Sequence, residues 1–178
     1  MHGVVSILDD KHCALVESIW EELEREFGLR NARAAYPHFT YQIASAYDVD
    51  KVEPILRSLA RTASPFKVTT SGLGIFTGEK PVLYVRMVRE LILTLFHDRL
   101  WAAISSNAQN VHHHHYGHTN WIPHITLAYG DLDHDTLARA VRLLSERSFN
   151  WEITIDNLAL VLDTAGPRED WLRLPFGQ

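Results

Sequence analysis

Pro37-His38-Phe39-Thr40-Tyr41 and Pro123-His124-Ile125-Thr126-Leu127 are two copies of one pattern, Pro-His-apolar-Thr-apolar. Each reads as a short β-strand. Successive side chains of a strand point to opposite faces, so His and Thr two positions apart share one face. Phe39, Tyr41 and Ile43 are expected to face a core while His38, Thr40 and Gln42 face out. Ile125, Leu127 and Tyr129 are expected to do the same opposite His124, Thr126 and Ala128. With 11 His and 11 Thr in 178 residues, chance supplies about 0.7 His-x-Thr triplets, and a preceding Pro lowers that to about 0.03. The chain holds two of the longer form. A third triplet, His134-Asp135-Thr136, follows Asp133 at an expected helix start and is set aside as a capping sequence.

Secondary-structure elements alternate around both copies. Val4 to Leu8 is β-rich, with Asp9 and Asp10 placed to cap a helix whose apolar stripe is Leu15, Ile19, Leu23 and Phe27, beside Val16 and Trp20. Gly28 is a natural stop. Asp48 or Asp50 opens a second helix with the stripe Val52, Ile55, Leu56 and Leu59. Phe66 to Phe76 and Val82 to Met87 read as strands joined around Gly78-Glu79-Lys80-Pro81. Val88 to about Ile104 reads as a helix from Leu91, Ile92 and Leu95, and Ser105 to Asn120 as a polar loop. Asp133 caps a helix bearing Leu137, Val141 and Leu144. Trp151 to Leu162 and Trp171 to Leu174 close the chain as strands joined through Gly166-Pro167. One His-Thr strand in each half suggests an internal duplication of a small α+β unit. No linker separates independent domains, so residues 1–178 are expected to form a single domain of two intimately packed lobes.

Composition narrows the function. The chain is 46% hydrophobic and 22% charged, ordinary for a globular protein. No apolar run approaches the roughly 20 residues of a membrane helix, and no signal peptide is evident. The single Cys13 excludes an internal disulfide framework and fits a reducing compartment, with the cytoplasm as the expected location. A net charge of −5 gives no global positive field for gripping a long phosphate backbone. A short nucleic-acid end or a small nucleotide suits this balance better. There is no G-x-S-x-G elbow and no P-loop, so serine-hydrolase and NTP-driven chemistry are unsupported.

The paired His-Thr strands in a duplicated α+β chain resemble the 2H phosphoesterase superfamily, and within it the 2′-5′ RNA ligase-like and cyclic phosphodiesterase branch. The opening strand, Ser71-Gly72-Leu73-Gly74-Ile75-Phe76 and the late strand Ile153 to Leu158 extend the likeness over most of the chain. The resemblance implies two pseudo-symmetric lobes of antiparallel sheet with flanking helices, facing each other across a central cleft. It implies His38, Thr40, His124 and Thr126 as the catalytic set. It also implies cleavage of a 2′,3′-cyclic phosphate or 2′-5′ phosphodiester on RNA ends or small cyclic nucleotides, with no metal or other cofactor and no obligate protein partner.

The residue types suit that chemistry. Imidazole, with a reference pKa near 6.5, serves as base or acid at neutral pH, and threonine hydroxyls can donate to non-bridging phosphate oxygens. Tyr36, in phase with His38, and Trp121, beside the second motif, are candidates to stack on a base. Arg86, in phase with Tyr84, is a candidate to reach a phosphate. Core packing and solvated charge are the alternatives for these three, as they are for Arg30 and Arg33 in the loop before the first motif. His112 to His115 with His118 raise a metal site as a rival reading, but adjacent loop histidines without Cys or carboxylate partners make a poor closed site. A nucleotide- or RNA-binding module without turnover is the other rival.

Overall fold

The computed structural model describes residues 1–162 and 171–178. The Gly166-Pro167 connection expected from the sequence lies outside these. The strands are β1 (His2–Ile7), β2 (His38–Ala44), β3 (Ala46–Tyr47), β4 (Phe66–Phe76), β5 (Val82–Met87), β6 (Ala108–Gln109), β7 (His124–Ala128), β8 (Glu152–Ile155), β9 (Asn157–Val161) and β10 (Leu172–Pro175). The helices are α1 (Asp10–Phe27), α2 (Val49–Thr62), α3 (Leu91–Ile104), α4 (His113–Tyr116) and α5 (His134–Leu144). Two four-stranded antiparallel sheets, ordered β10-β9-β1-β2 and β7-β5-β4-β8, are accompanied by a β3-β6 ribbon. In both sheets the motif strand is an edge strand. This is the two-lobed α+β architecture expected from the sequence.

Local chemistry explains the element ends. Asp9 accepts the His12 backbone N–H at 2.9 Å to start α1, and Gly28 ends it in the left-handed conformation at φ 75°. Asp133 accepts the Thr136 N–H at 2.7 Å, so His134-Asp135-Thr136 is the first turn of α5 behind its cap. The strands β4 and β5 have the bounds read from their alternation.

Several expectations change, among them that of Ala128, which is buried rather than facing out, and that of a plain loop over 105–120, which holds β6 and α4. In α1 the buried face is Val16, Ile19, Trp20 and Leu23, with Leu15 in solvent. In α3, Leu91, Ile92 and Leu95 are exposed, and Leu93, His97, Leu100, Trp101 and Ile104 point inward. Counting His97 as polar hides that stripe. Gln42 does not face out: it is buried, donating to Ser105 Oγ at 2.9 Å and accepting from the Tyr47 hydroxyl at 3.1 Å. Tyr129 lies beyond the end of β7 and is exposed.

The last predicted strand, Trp151 to Leu162, divides at Asp156. Its first part, β8, pairs with β4 in one sheet, and its second, β9, pairs with β1 in the other. Asn157 secures this crossover. Its buried side chain accepts the Ile7 N–H at 3.1 Å and donates to the Ile7 carbonyl at 2.8 Å, imitating a strand partner. One continuous core joins both sheets and the inner faces of α1, α2 and α3, from Val4 and Trp20 through Phe39, Tyr41 and Leu56 to Ile125 and Leu158. No described helix is long and apolar enough to cross a membrane.

Candidate active site

The register of the edge strands sets the site. In β2, His38 and Thr40 lie opposite Ile7 and Val5 of β1. In β7, His124 and Thr126 lie opposite Arg86 and Tyr84 of β5. Within each strand the two motif side chains share a face, as alternation requires. β2 and β7 run beside each other where the sheets meet. His124 is near enough that its charge bears on His38.

The two histidines are held alike. His38 Nδ1 donates to the Tyr36 carbonyl at 2.6 Å, and His124 Nδ1 donates to the Ile122 carbonyl at 2.7 Å. A carbonyl only accepts, so each bond places the ring proton on Nδ1 and leaves Nε2 as the free base of the neutral imidazole. Neither Nε2 atom and neither threonine hydroxyl bonds to another group among the described residues. Thr40 is the most buried of these residues, and His38, His124 and Thr126 are half-buried.

Edge strands leave backbone carbonyls unpaired, and here two indoles cover the central ones. Trp121 Nε1 donates to the Thr40 carbonyl at 2.9 Å, and Trp20 Nε1 donates to the Thr126 carbonyl at 3.2 Å. Each motif threonine is thereby positioned by a tryptophan from another part of the chain.

Aromatic rings flank both imidazoles. Trp171 meets His38 edge-on with centroids 5.2 Å apart, and it also meets Tyr36 at 5.6 Å. Phe76 meets His124 edge-on at 4.9 Å, and Tyr84 lies 5.1 Å from the same ring. Tyr84 occupies its place because Gly74, its cross-strand partner, has no side chain: a Cβ there would collide with the Tyr84 ring. Burial lowers the pKa of both histidines. His38 is pushed down to about 4, desolvation outweighing its bond to the Tyr36 carbonyl and the His124 charge adding to the effect. His124 is lowered by desolvation against its bond to Ile122.

The candidate substrate contacts separate. Arg86 is exposed beside His124, on the same face as Tyr84. Tyr36 is half-buried at the His38 end. Trp121 has no face left for a base: it is buried, His97 lies flat on it with centroids 3.9 Å apart, and Tyr41 stacks on it too. Its part is structural. Arg30 and Arg33 pair with Glu24 on α1. Trp171, Phe76 and Trp20 are site residues that the motifs do not single out. Phe76 follows Gly74 by two positions and so shares its face with Tyr84, a signal that alternation could have supplied. The contacts of Trp171 and Trp20 depend on tertiary structure. A cavity of about 630 Å³ between α2 and β10 lies away from both motifs, so chemistry rather than volume marks this site.

Comparison with known proteins agrees with the fold. The model of the 2′-5′ RNA ligase superfamily matches residues 8–167. No curated protein matches the sequence. Among solved structures, the chain is similar to TT0787 of Thermus thermophilus, with TM-score 0.63 and 18% identity over 98% of this chain and 93% of that one. It is similar to E. coli LigT in its apo form, with TM-score 0.58 and 15% identity over 98% of this chain and 93% of that one. It also resembles Kluyveromyces marxianus Usb1 with uridine monophosphate, with TM-score 0.51 and 13% identity over 98% of each chain. At these identities the structural likeness speaks for the fold.

Proposed function

The chain belongs to the 2′-5′ RNA ligase superfamily, and from that premise we propose that it is a phosphoesterase acting on 2′,3′-cyclic phosphates or 2′-5′ phosphodiesters of RNA ends or small nucleotides. His38, Thr40, His124 and Thr126 form its catalytic set, and residues 1–178 act as one domain of two lobes. The observation that carries this reading is the matched pair of imidazoles. Each is anchored through Nδ1 to the carbonyl two residues earlier, and each presents a free Nε2 on the same strand face as a threonine hydroxyl with no partner among the described residues.

In hydrolysis of a cyclic phosphate, one neutral histidine takes a proton from water as the water oxygen bonds to phosphorus. The other histidine, protonated, gives its proton to the ribose oxygen as that P–O bond breaks. Base and acid finish with exchanged protonation states, and solvent resets them. The threonine hydroxyls donate to the non-bridging oxygens as charge grows there. Both histidines favour the neutral form in the free protein. A bound phosphate anion opposes that shift and favours protonation of one histidine from solvent. The uridine monophosphate held by Usb1 is consistent with a nucleotide in such a cleft.

The test offers 2′,3′-cyclic nucleotides and 2′-5′-linked dinucleotides in excess EDTA to wild type, His38→Ala and His124→Ala. Turnover that survives EDTA and is lost in both variants supports the assignment. Binding without turnover of any offered substrate by wild type overturns it in favour of a binding module.

A further inference from the structure

Outside the two motifs, a second histidine cluster spans α3 and the loop before β7. One ligand atom each from His97, Asp98 and His118 lie within 4.8 Å of one another. His97 is fully buried and lies flat on Trp121, with centroids 3.9 Å apart and planes 10° apart. Its Nε2 donates to the Tyr116 carbonyl at 3.0 Å, so the neutral ring keeps its lone pair on Nδ1, 3.5 Å from Asp98 Oδ1. His118 brings its own Nδ1 to that oxygen at 2.5 Å.

A histidine that gives its second N–H to a backbone carbonyl is the usual arrangement of a metal ligand, because that bond fixes both tautomer and ring. His97 meets this description, and among the described residues its Nδ1 faces only the Asp98 carboxylate. The backbone of His118 is also tied, through its carbonyl, to the Arg89 guanidinium, which lies over Trp121. The side chains of Asp98 and His118 are exposed and can adjust. Tetrahedral zinc, with bonds of about 2.0–2.2 Å, needs ligand atoms about 3.3–3.5 Å apart. Opening the Asp98–His118 contact and closing on His97 reaches that spacing with one rigid and two movable ligands.

We propose that His97, Asp98 and His118 form a structural site for a divalent transition metal, Zn²⁺ by its two-imidazole, one-carboxylate donors, which clips α3 to the loop leading into β7. Water completes the coordination. The metal sits one residue layer from the reaction: His97 backs Trp121, and Trp121 holds the Thr40 carbonyl. It stabilises that stack and takes no part in phosphoryl chemistry, so its removal lowers the melting temperature without abolishing turnover. The run at His112 to His115, exposed from His113 onward, is a separate matter, since the rings of His114 and His115 meet each other, with centroids 4.9 Å apart.

Calorimetric titration of the chelator-stripped full chain with Zn²⁺ tests this, using wild type, Asp98→Asn, His118→Ala and the double variant His114→Ala/His115→Ala. Loss of an outer-shell partner alone costs metal sites about 10–100-fold in affinity, so loss of a ligand here costs at least about tenfold. One equivalent should bind wild type and the His114/His115 variant equally, while Asp98→Asn and His118→Ala weaken at least about tenfold. Zn²⁺ should raise the melting temperature of wild type and not of His118→Ala. Affinity that follows His114 and His115 instead means adventitious chelation by the run, and either that result or the absence of stoichiometric binding overturns the proposal.

Discussion

Trp121 donates its indole N–H to the backbone carbonyl of Thr40 at 2.9 Å, joining the loop before the second motif strand to the middle of the first. The bond crosses between lobes, and Trp20 makes its counterpart to Thr126 at 3.2 Å. Hydrogen bonds of this kind do two things: they cover an edge-strand carbonyl, and they fix the residue whose side chain faces the cleft.

Replacing Trp121 with Phe keeps most of the packing on His97 and deletes the donor. A buried carbonyl left unsatisfied costs about 1–3 kcal/mol, so Trp121→Phe should unfold at correspondingly lower denaturant. Turnover should fall more than substrate affinity does, because Thr40 loses its fixed position. Chemical denaturation beside steady-state kinetics checks both. Unchanged stability would show that the bond contributes nothing net.

Gly74 makes room for Tyr84, so Gly74→Ala should displace the ring that flanks His124. Overpacking of this sort costs about 1–3 kcal/mol. The clash is with one side chain, which gives a clean control: in a Tyr84→Ala background the same substitution should be nearly neutral. Equal destabilisation in both backgrounds would place the strain elsewhere.

The depressed histidine pKa values carry a pH dependence with a definite sign. His38 titrates near 4 in the folded chain and near 6.5 as a free imidazole. The folded state therefore binds fewer protons in that window. Its full stability is present above about pH 6.5 and is lost as pH falls toward about 4. His38→Gln should flatten that slope. Proton NMR of the ring C–H signals should place both motif histidines below 6.5 in the free protein, with at least one rising when a nucleoside monophosphate binds. Values at or above 6.5 without ligand would contradict the burial argument.

Much of the fold was legible because it is written in local chemistry. Alternation delimited β4 and β5, Asp9 and Asp133 announced their helices, and Gly28 ended the first. The rarity of Pro-His-x-Thr picked out the two edge strands. Legibility failed where side chains are buried against type. His97 and Gln42 are polar residues whose hydrogen bonds come from distant segments, so the face of α3 and the covered end of β2 could not be read from periodicity. The division at Asp156 was hidden because β8 and β9 are both fully β-forming, and only the pairing of each with a different sheet separates them. Trp121 reads as a stacking platform because it neighbours His124 in sequence. In space its face belongs to His97.

Under the proposed function, His38 and His124 are two halves of one catalytic unit. Groups that act as a unit show strongly non-additive losses. The decisive measurement is turnover of a 2′,3′-cyclic nucleotide in excess EDTA by wild type, His38→Ala, His124→Ala and the double variant. Each single substitution should lower kcat by at least about 10²-fold, in the range general acid–base catalysis supplies, and the double variant should be scarcely worse than either. Losses that multiply in the double variant, or a single variant with near-wild-type turnover, would contradict a composite two-histidine site.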